Sequence, residues 1–303
     1  MTCKTIISSI AFSALCLWAG AQEPDVALAT IRYELIHVND TSDRDNPRKE
    51  ELIMYMGQRA SVYQSETLAS RRKEIDEQLS KHVVGDGGRR ISLSSVAIAG
   101  VTNERLYAFP QEGRLVMSDK IGATGYLVDL PYPGVEWEIA DEIKEINGYE
   151  VQKATGSFGG RDYTAWFTTE LPFPYGPWKL HGLPGLILEA SDNRNEVVFR
   201  FLEFAKEAGE EIALPEEATQ ASLRDFNRAK AAFDANPTAA TTVGRSAGSG
   251  TQTTTERRVI TVNSDGTRSV ATGDDAQAMM EKRREENRRK NNNPMELPTP
   301  RNR

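Results

Sequence analysis

The stretch Tyr175-Gly-Pro-Trp-Lys-Leu-His-Gly-Leu-Pro-Gly-Leu-Ile-Leu-Glu-Ala190 sets the reading of the whole chain. Two turn dipeptides, Gly176-Pro177 and Pro184-Gly185, punctuate it before an apolar run at Leu186, Ile187 and Leu188. Proline fixes φ at the second position of a turn, and glycine after it tolerates positive φ. Pro184-Gly185 therefore predicts a type II turn that feeds a buried strand. Trp178 and Leu183 are expected to cover the end of that strand, and Gly182 to permit close backbone approach. On this reading Gly176, Pro177, Gly182, Leu183, Pro184, Gly185, Leu186 and Ile187 form a structural motif. A functional reading stands beside it. Loops on rigid sheets often carry binding residues, so Trp178, Lys179 and His181 are the rim candidates for a ligand site.

Outward from this motif the chain is rich in strand signals. Ala27 to Val38 alternates apolar and polar residues, as a half-buried strand does. Leu52 to Met56 and Ala60 to Tyr63 read as a hairpin through Gly57, and Ser65 is placed to cap a charged helix from Glu66 to Leu79. Arg105 to Phe109 and Arg114 to Ser118 flank a Pro-Gln-Glu-Gly turn. Trp137 to Ile146 reads as a strand followed by a short turn of helix. Gly148 to Thr155 and Asp162 to Thr168 enclose the Gly-rich turn 156–160, the strongest hairpin signal in the chain. Leu186 to Ala190 and Glu196 to Phe204 form a further strand pair. Ser222 then introduces an amphipathic helix bearing Leu223, Phe226, Ala229 and Phe233 on one face, ended at Asn236-Pro237. Thr238 to Thr255 is a low-complexity insert, Arg258 to Val262 and Thr267 to Ala271 flank Asp265-Gly266, and Asp275 opens a polar helical pattern to about Lys290.

These elements predict an α+β protein: a curved antiparallel β-sheet, half-barrel or sandwich-like, with one or two packing helices. The expected segments are a signal peptide at 1–21, a main β-rich domain at 22–237, a flexible insert with a possible hairpin at 238–273, and a polar C-terminal helix and tail at 274–303. Lys4, the apolar run Ile6 to Trp18 and the small residues Ala19-Gly20-Ala21 have the pattern of a cleaved secretory leader. Cys16 raises a lipidation alternative, against which Leu15 stands where a small residue is wanted. Both cysteines of the 303-residue chain, Cys3 and Cys16, lie in this leader. A chain cleaved after Ala21 would hold no disulfide, thiol nucleophile or thiolate metal site. It would also carry no segment of membrane-spanning length.

The formal charge is −7, and loss of Lys4 with the leader makes it one unit more acidic. Such a balance argues against sequence-independent nucleic-acid binding, which relies on a basic surface. No zinc helix, P-loop or dinucleotide fingerprint is present, so no cofactor or metal is expected. Gly244-Arg-Ser-Ala-Gly248 matches a nucleophile elbow in letters only, because no strand precedes it. The three histidines, His37, His82 and His181, are scattered. Asp40, Asp43 and Asp45 lack the glycine and distal glutamate of a calcium loop. No catalytic residue is assigned.

The central stretch resembles the signature of the GLPGLI family, a group of secreted Bacteroidota proteins of largely unassigned function. The run leading into it (Trp137, Gly148-Tyr149, Val151 to Thr155, Ala165-Trp166) is similar to that of family members. Asn292-Asn-Pro-Met-Glu-Leu297 resembles the Asn-Asn-Pro-Ile-Glu-Leu ending of many of them. The resemblance implies export across the inner membrane and company with outer-membrane TonB-dependent receptors. It carries no functional residue across. The expectation is an exported envelope protein, periplasmic, outer-membrane-associated or extracellular, that binds or carries an apolar small molecule or lipid without catalysis. A curved sheet with an apolar cleft would be analogous to periplasmic lipoprotein carriers. The alternatives are a structural accessory to an outer-membrane protein partner and an unrecognised hydrolase.

Overall fold

A computed structural model describes residues 25–82, 101–206, 209–235, 258–262 and 268–297. The expected leader, the insert from Thr238 to Thr255 and the Gly244–Gly248 pattern lie outside these residues.

The fold is α+β and is organised by one twelve-stranded sheet that does not close on itself. In chain order the strands are β1 (Asp25–Val26), β2 (Ala29–His37), β3 (Arg48–Met56), β4 (Ser61–Ser65), β5 (Arg105–Phe109), β6 (Arg114–Ile121), β7 (Thr124–Pro131) and β8 (Glu138–Ile146). They continue with β9 (Tyr149–Phe158), β10 (Arg161–Thr168), β11 (Leu186–Asp192), β12 (Val197–Ala205), β13 (Glu211–Ile212), β14 (Thr219–Ala221), β15 (Arg258–Val262) and β16 (Arg268–Thr272). Across the main sheet the order is β14-β7-β6-β5-β4-β3-β2-β12-β11-β10-β9-β8. Every pairing is antiparallel except the short edge strand β14, which runs parallel to β7. The sheet is thus mixed at one edge. β1 pairs with β13, and β15 with β16, as separate two-stranded ribbons.

Alternation determines the facing of each strand. In β2, Ile31, Tyr33 and Leu35 are buried while Arg32 and Glu34 are half-exposed. A period of two puts one set of side chains on the inner face. There they join Leu52, Met54, Phe167, Leu186 and Phe199 in the main core. β4 is buried on both faces. Tyr63 joins the main core, and Val62 joins a smaller cluster with Tyr107, Val116 and Ile212 on the outer side, where β13 contributes. The helices are α1 (Glu66–His82), α2 (Leu223–Ala235) and α3 (Gly273–Lys290). Ser222 caps α2 as expected, its Oγ accepting from the Asp225 amide at 3.1 Å. Phe226 anchors that helix edge-on against Tyr126.

Two local readings are corrected. Trp137 to Ile146 contains no turn of helix, because β8 runs to Ile146 and its uneven spacing is a register shift between Ile139 and Ile143. The hairpin expected across 156–160 turns more tightly, at Gly159-Gly160, with Gly156 inside β9 beneath Trp137. No helix among the described residues is long and apolar enough to cross a membrane.

Candidate functional site

The signature segment lies between β10 and β11 and folds as two linked turns. Pro177 and Leu180 close the first through a 3.0 Å backbone hydrogen bond. Trp178 sits inside it at φ +56°, a strained conformation for an aromatic residue. Edge-on packing against Phe158 helps hold it there. The second turn differs from expectation. The Gly185 amide donates to the Leu183 carbonyl at 2.9 Å, a three-residue turn centred on Pro184 rather than a four-residue type II turn. The physical reason is crowding. Gly185 abuts the Thr168 carbonyl, and the next residue, Leu186, is already paired with Thr168 in the ladder. The strand that follows is buried at Leu186, Ile187 and Leu188. Ile187 is doubly held: its amide donates to the Tyr175 carbonyl at 3.0 Å, and its carbonyl accepts from the Tyr33 hydroxyl at 2.6 Å.

The C-terminal segment 291–297 crosses onto this motif. Arg161, at the start of β10, is almost wholly buried and uses all five of its N–H groups. Nη1 donates to Asp192 at 2.7 Å and to Glu196 at 3.2 Å. Nη2 donates to the Asn293 side chain at 2.6 Å and the Pro294 carbonyl at 2.8 Å. Nε donates to the Met295 carbonyl at 3.0 Å. Asn293 completes the clasp by donating to the Val38 carbonyl and to Glu196. His37 Nε2 lies 2.8 Å from the Asn293 carbonyl, so that nitrogen carries the proton and donates. Burial pushes the Glu196 carboxyl upward, but hydrogen bonds from Arg44, Arg161 and Asn293 outweigh it and hold the group below its ordinary value. Burial lowers the pKa of His37.

Between the clasp, the signature loop and the inner face of β2–β5 lies a pocket of about 310 Å³. Leu35, Leu52, Leu106, Trp178, Pro294 and Met295 give it an apolar wall, and Arg48, Tyr63, Thr102, Glu104, Lys179 and Glu296 are its polar and charged members. The volume falls at the lower end of small-molecule sites. Trp178 and Lys179 line this pocket. Lys179 pairs with Glu296 of the clasp and lies 5.4 Å from the Trp178 ring centroid. His181 does not line it. It is buried, stacked on Tyr132, and neither ring nitrogen has a hydrogen-bond partner among the described residues. Arg161, Tyr63 and Glu104 carry no motif signal. The reading of 292–297 as a family-like ending was the one pointer to the clasp. No cluster of three metal-ligating side chains occurs among the described residues.

Burial lowers the pKa of His181 to about 4, and the nearby Trp178 carbonyl opposes this without hydrogen-bond geometry to either nitrogen. The folded protein therefore resists protonating a group that titrates near 6.5 when unfolded. Its stability is complete above that value and is lost as pH falls toward about 4. The loss amounts to about 3 kcal/mol. His181→Phe keeps a ring against Tyr132 and removes the titration. Its acid-unfolding midpoint should lie at lower pH than the parent's. A parent–variant stability difference that stays constant over this range would count against the assignment.

A family model described as "Protein of unknown function (Porph_ging)" matches residues 160–189, which span β10, the signature and β11 up to Glu189. The finding fits a family of unassigned function. No curated protein matches the chain. Among solved structures the chain is similar to PNGF-II in its P21 crystal form, with TM-score 0.46, 14% identity and coverage of 68% of this chain and 33% of that one. The C2 form gives TM-score 0.46, 13% identity and coverage of 68% and 32%. The chain spans about a third of the length of these structures.

Proposed function

We propose that this protein is a non-enzymatic binding protein of the cell envelope that holds a small, largely apolar molecule in the pocket beneath the signature loop. The pocket itself carries the reading. It has an apolar wall faced by polar and charged side chains, and sides drawn from three separate parts of the chain. The leader-like Met1 to Ala21 supports export, and the signature with its matching C-terminal ending supports placement in the GLPGLI family. The clasp suits the role, since Pro294, Met295 and Glu296 form one side of the pocket, the first two held through their carbonyls by Arg161 and the third by Lys179.

The test is a titration with the uncharged apolar fluorophore N-phenyl-1-naphthylamine. The folded parent should bind it saturably with one site per chain. Met295→Trp, which fills the pocket from the clasp side, should abolish binding while leaving the circular dichroism spectrum unchanged. Absence of a saturable site in the parent, or undiminished binding by a folded Met295→Trp, would overturn the reading.

A further inference from the structure

Resting on that reading, we infer that the ligand is an apolar amine: an aliphatic or aromatic body with one ammonium group held between Glu104 and Tyr63. The inference comes from matching charges around the pocket. Arg48 is paired with Glu50, and both also bind Thr102. Lys179 is paired with Glu296. These four charges cancel. Glu104 lines the same pocket and has no hydrogen bond or ion pair among the described residues. Tyr63 also lines it; the residue is 7% exposed, and its hydroxyl has no hydrogen-bond partner among the described residues. Among the described residues, one half-buried carboxylate and one buried phenol therefore remain unmatched beside the pocket's apolar wall.

A half-buried carboxylate against an apolar wall is stabilised when a cation reaches it. Burial raises the Glu104 pKa; Lys179 and Lys230 pull it down, while Asp119 and Glu296 push it up. An ammonium supplies what is missing: a positive charge and three donors, one for Glu104 and one for the phenol oxygen. Its apolar body would lie on Leu35, Leu52, Leu106 and Met295. An anionic ligand would instead meet Glu104 and Glu296, with the lining cations Arg48 and Lys179 already paired. An alcohol would satisfy the hydrogen bonds and leave the charge unanswered. The expected order of affinity is amine, then alcohol, then carboxylate.

Calorimetric titration of the full chain with octylamine, 1-octanol and octanoate tests this, at high salt to screen non-specific attraction of the amine to an acidic protein. Octylamine should bind tightest. Glu104→Gln should weaken it by roughly thirtyfold and leave 1-octanol nearly unchanged. Tyr63→Phe gives a second, independent reading and should weaken octylamine several-fold. Unchanged thermal midpoints verify that both variants fold. Equal binding of octylamine and 1-octanol, tighter binding of octanoate, or full octylamine affinity in either variant would overturn the amine assignment while the pocket reading stands. If none of the three ligands binds, both fall.

Discussion

Arg161→Met lowers the unfolding free energy by about 3–5 kcal/mol. The substitution keeps an unbranched side chain of similar reach and removes all five donors. Asp192 and Glu196 are then left buried side by side, with the partly exposed Arg44 as the remaining cation on Glu196. Asp192 is also committed on its other oxygen, which accepts from the Glu196 and Val197 amides at 2.6 and 3.0 Å. The variant therefore strains the β11–β12 turn as well as the clasp. Urea unfolding of parent and variant measures the loss. Arg161→Lys should rescue little, because one ammonium has three donors and cannot span five acceptors in a planar fork. A neutral-pH difference below about 1 kcal/mol would sink the view that this network fastens the C-terminal segment. The carbonyls of Pro294 and Met295 lose their partner too, so trypsin cleavage near Arg288 to Lys290 should accelerate in step.

The sheet was legible where one strand face is buried, because burial on one side writes a period of two into the residues. β2 shows this with Ile31, Tyr33 and Leu35 inward and Arg32 and Glu34 outward. The β9–β10 hairpin was legible from its glycines, although Gly156 belongs to the strand and only Gly159 and Gly160 turn, both at positive φ. The β8 register shift was not, since a bulge spaces isoleucines as a helical turn would. The site was legible in part. Its loop announced itself through Pro and Gly, and Trp178 and Lys179 do line a pocket. Its other half was silent for a physical reason. Arg161 follows two glycines and reads like a solvated turn residue, while Asn293 sits in an asparagine run that reads like a tail. Their hydrogen bond joins positions 132 residues apart. Local pattern cannot encode such a contact, and neither could it show that Glu104 and Tyr63 face one cavity. His181 illustrates the converse. Its place in a loop beside Lys179 suggested exposure, yet the loop folds inward at that residue and presents its carbonyl to Trp137 at 2.8 Å.

Gly185→Ala should cost about 3 kcal/mol, the upper end for an added methyl in a packed site. A Cβ at this position would lie 2.1 Å from the Thr168 carbonyl oxygen and 2.8 Å from its carbon. Both are backbone atoms, so no side-chain rotation relieves the clash. Either β10 or β11 must move. Thr168 and Leu186 are register partners, and a bulge already lies between Trp166 and Phe167, so movement there would disturb the ladder that buries Leu186 to Leu188. The thermal midpoint should fall by roughly 6–10 °C. Lys179→Ala, in the same signature, removes one ion pair with a partly exposed glutamate and should change stability by no more than about 1 kcal/mol. The two substitutions separate the roles within the motif. Glycine is required at 185 because two backbones meet there, while Lys179 faces the pocket and the clasp. Equal midpoints for parent and Gly185→Ala would show that the strands can part without cost. The signature would then have to be explained by what its side chains contact rather than by how closely its backbone packs.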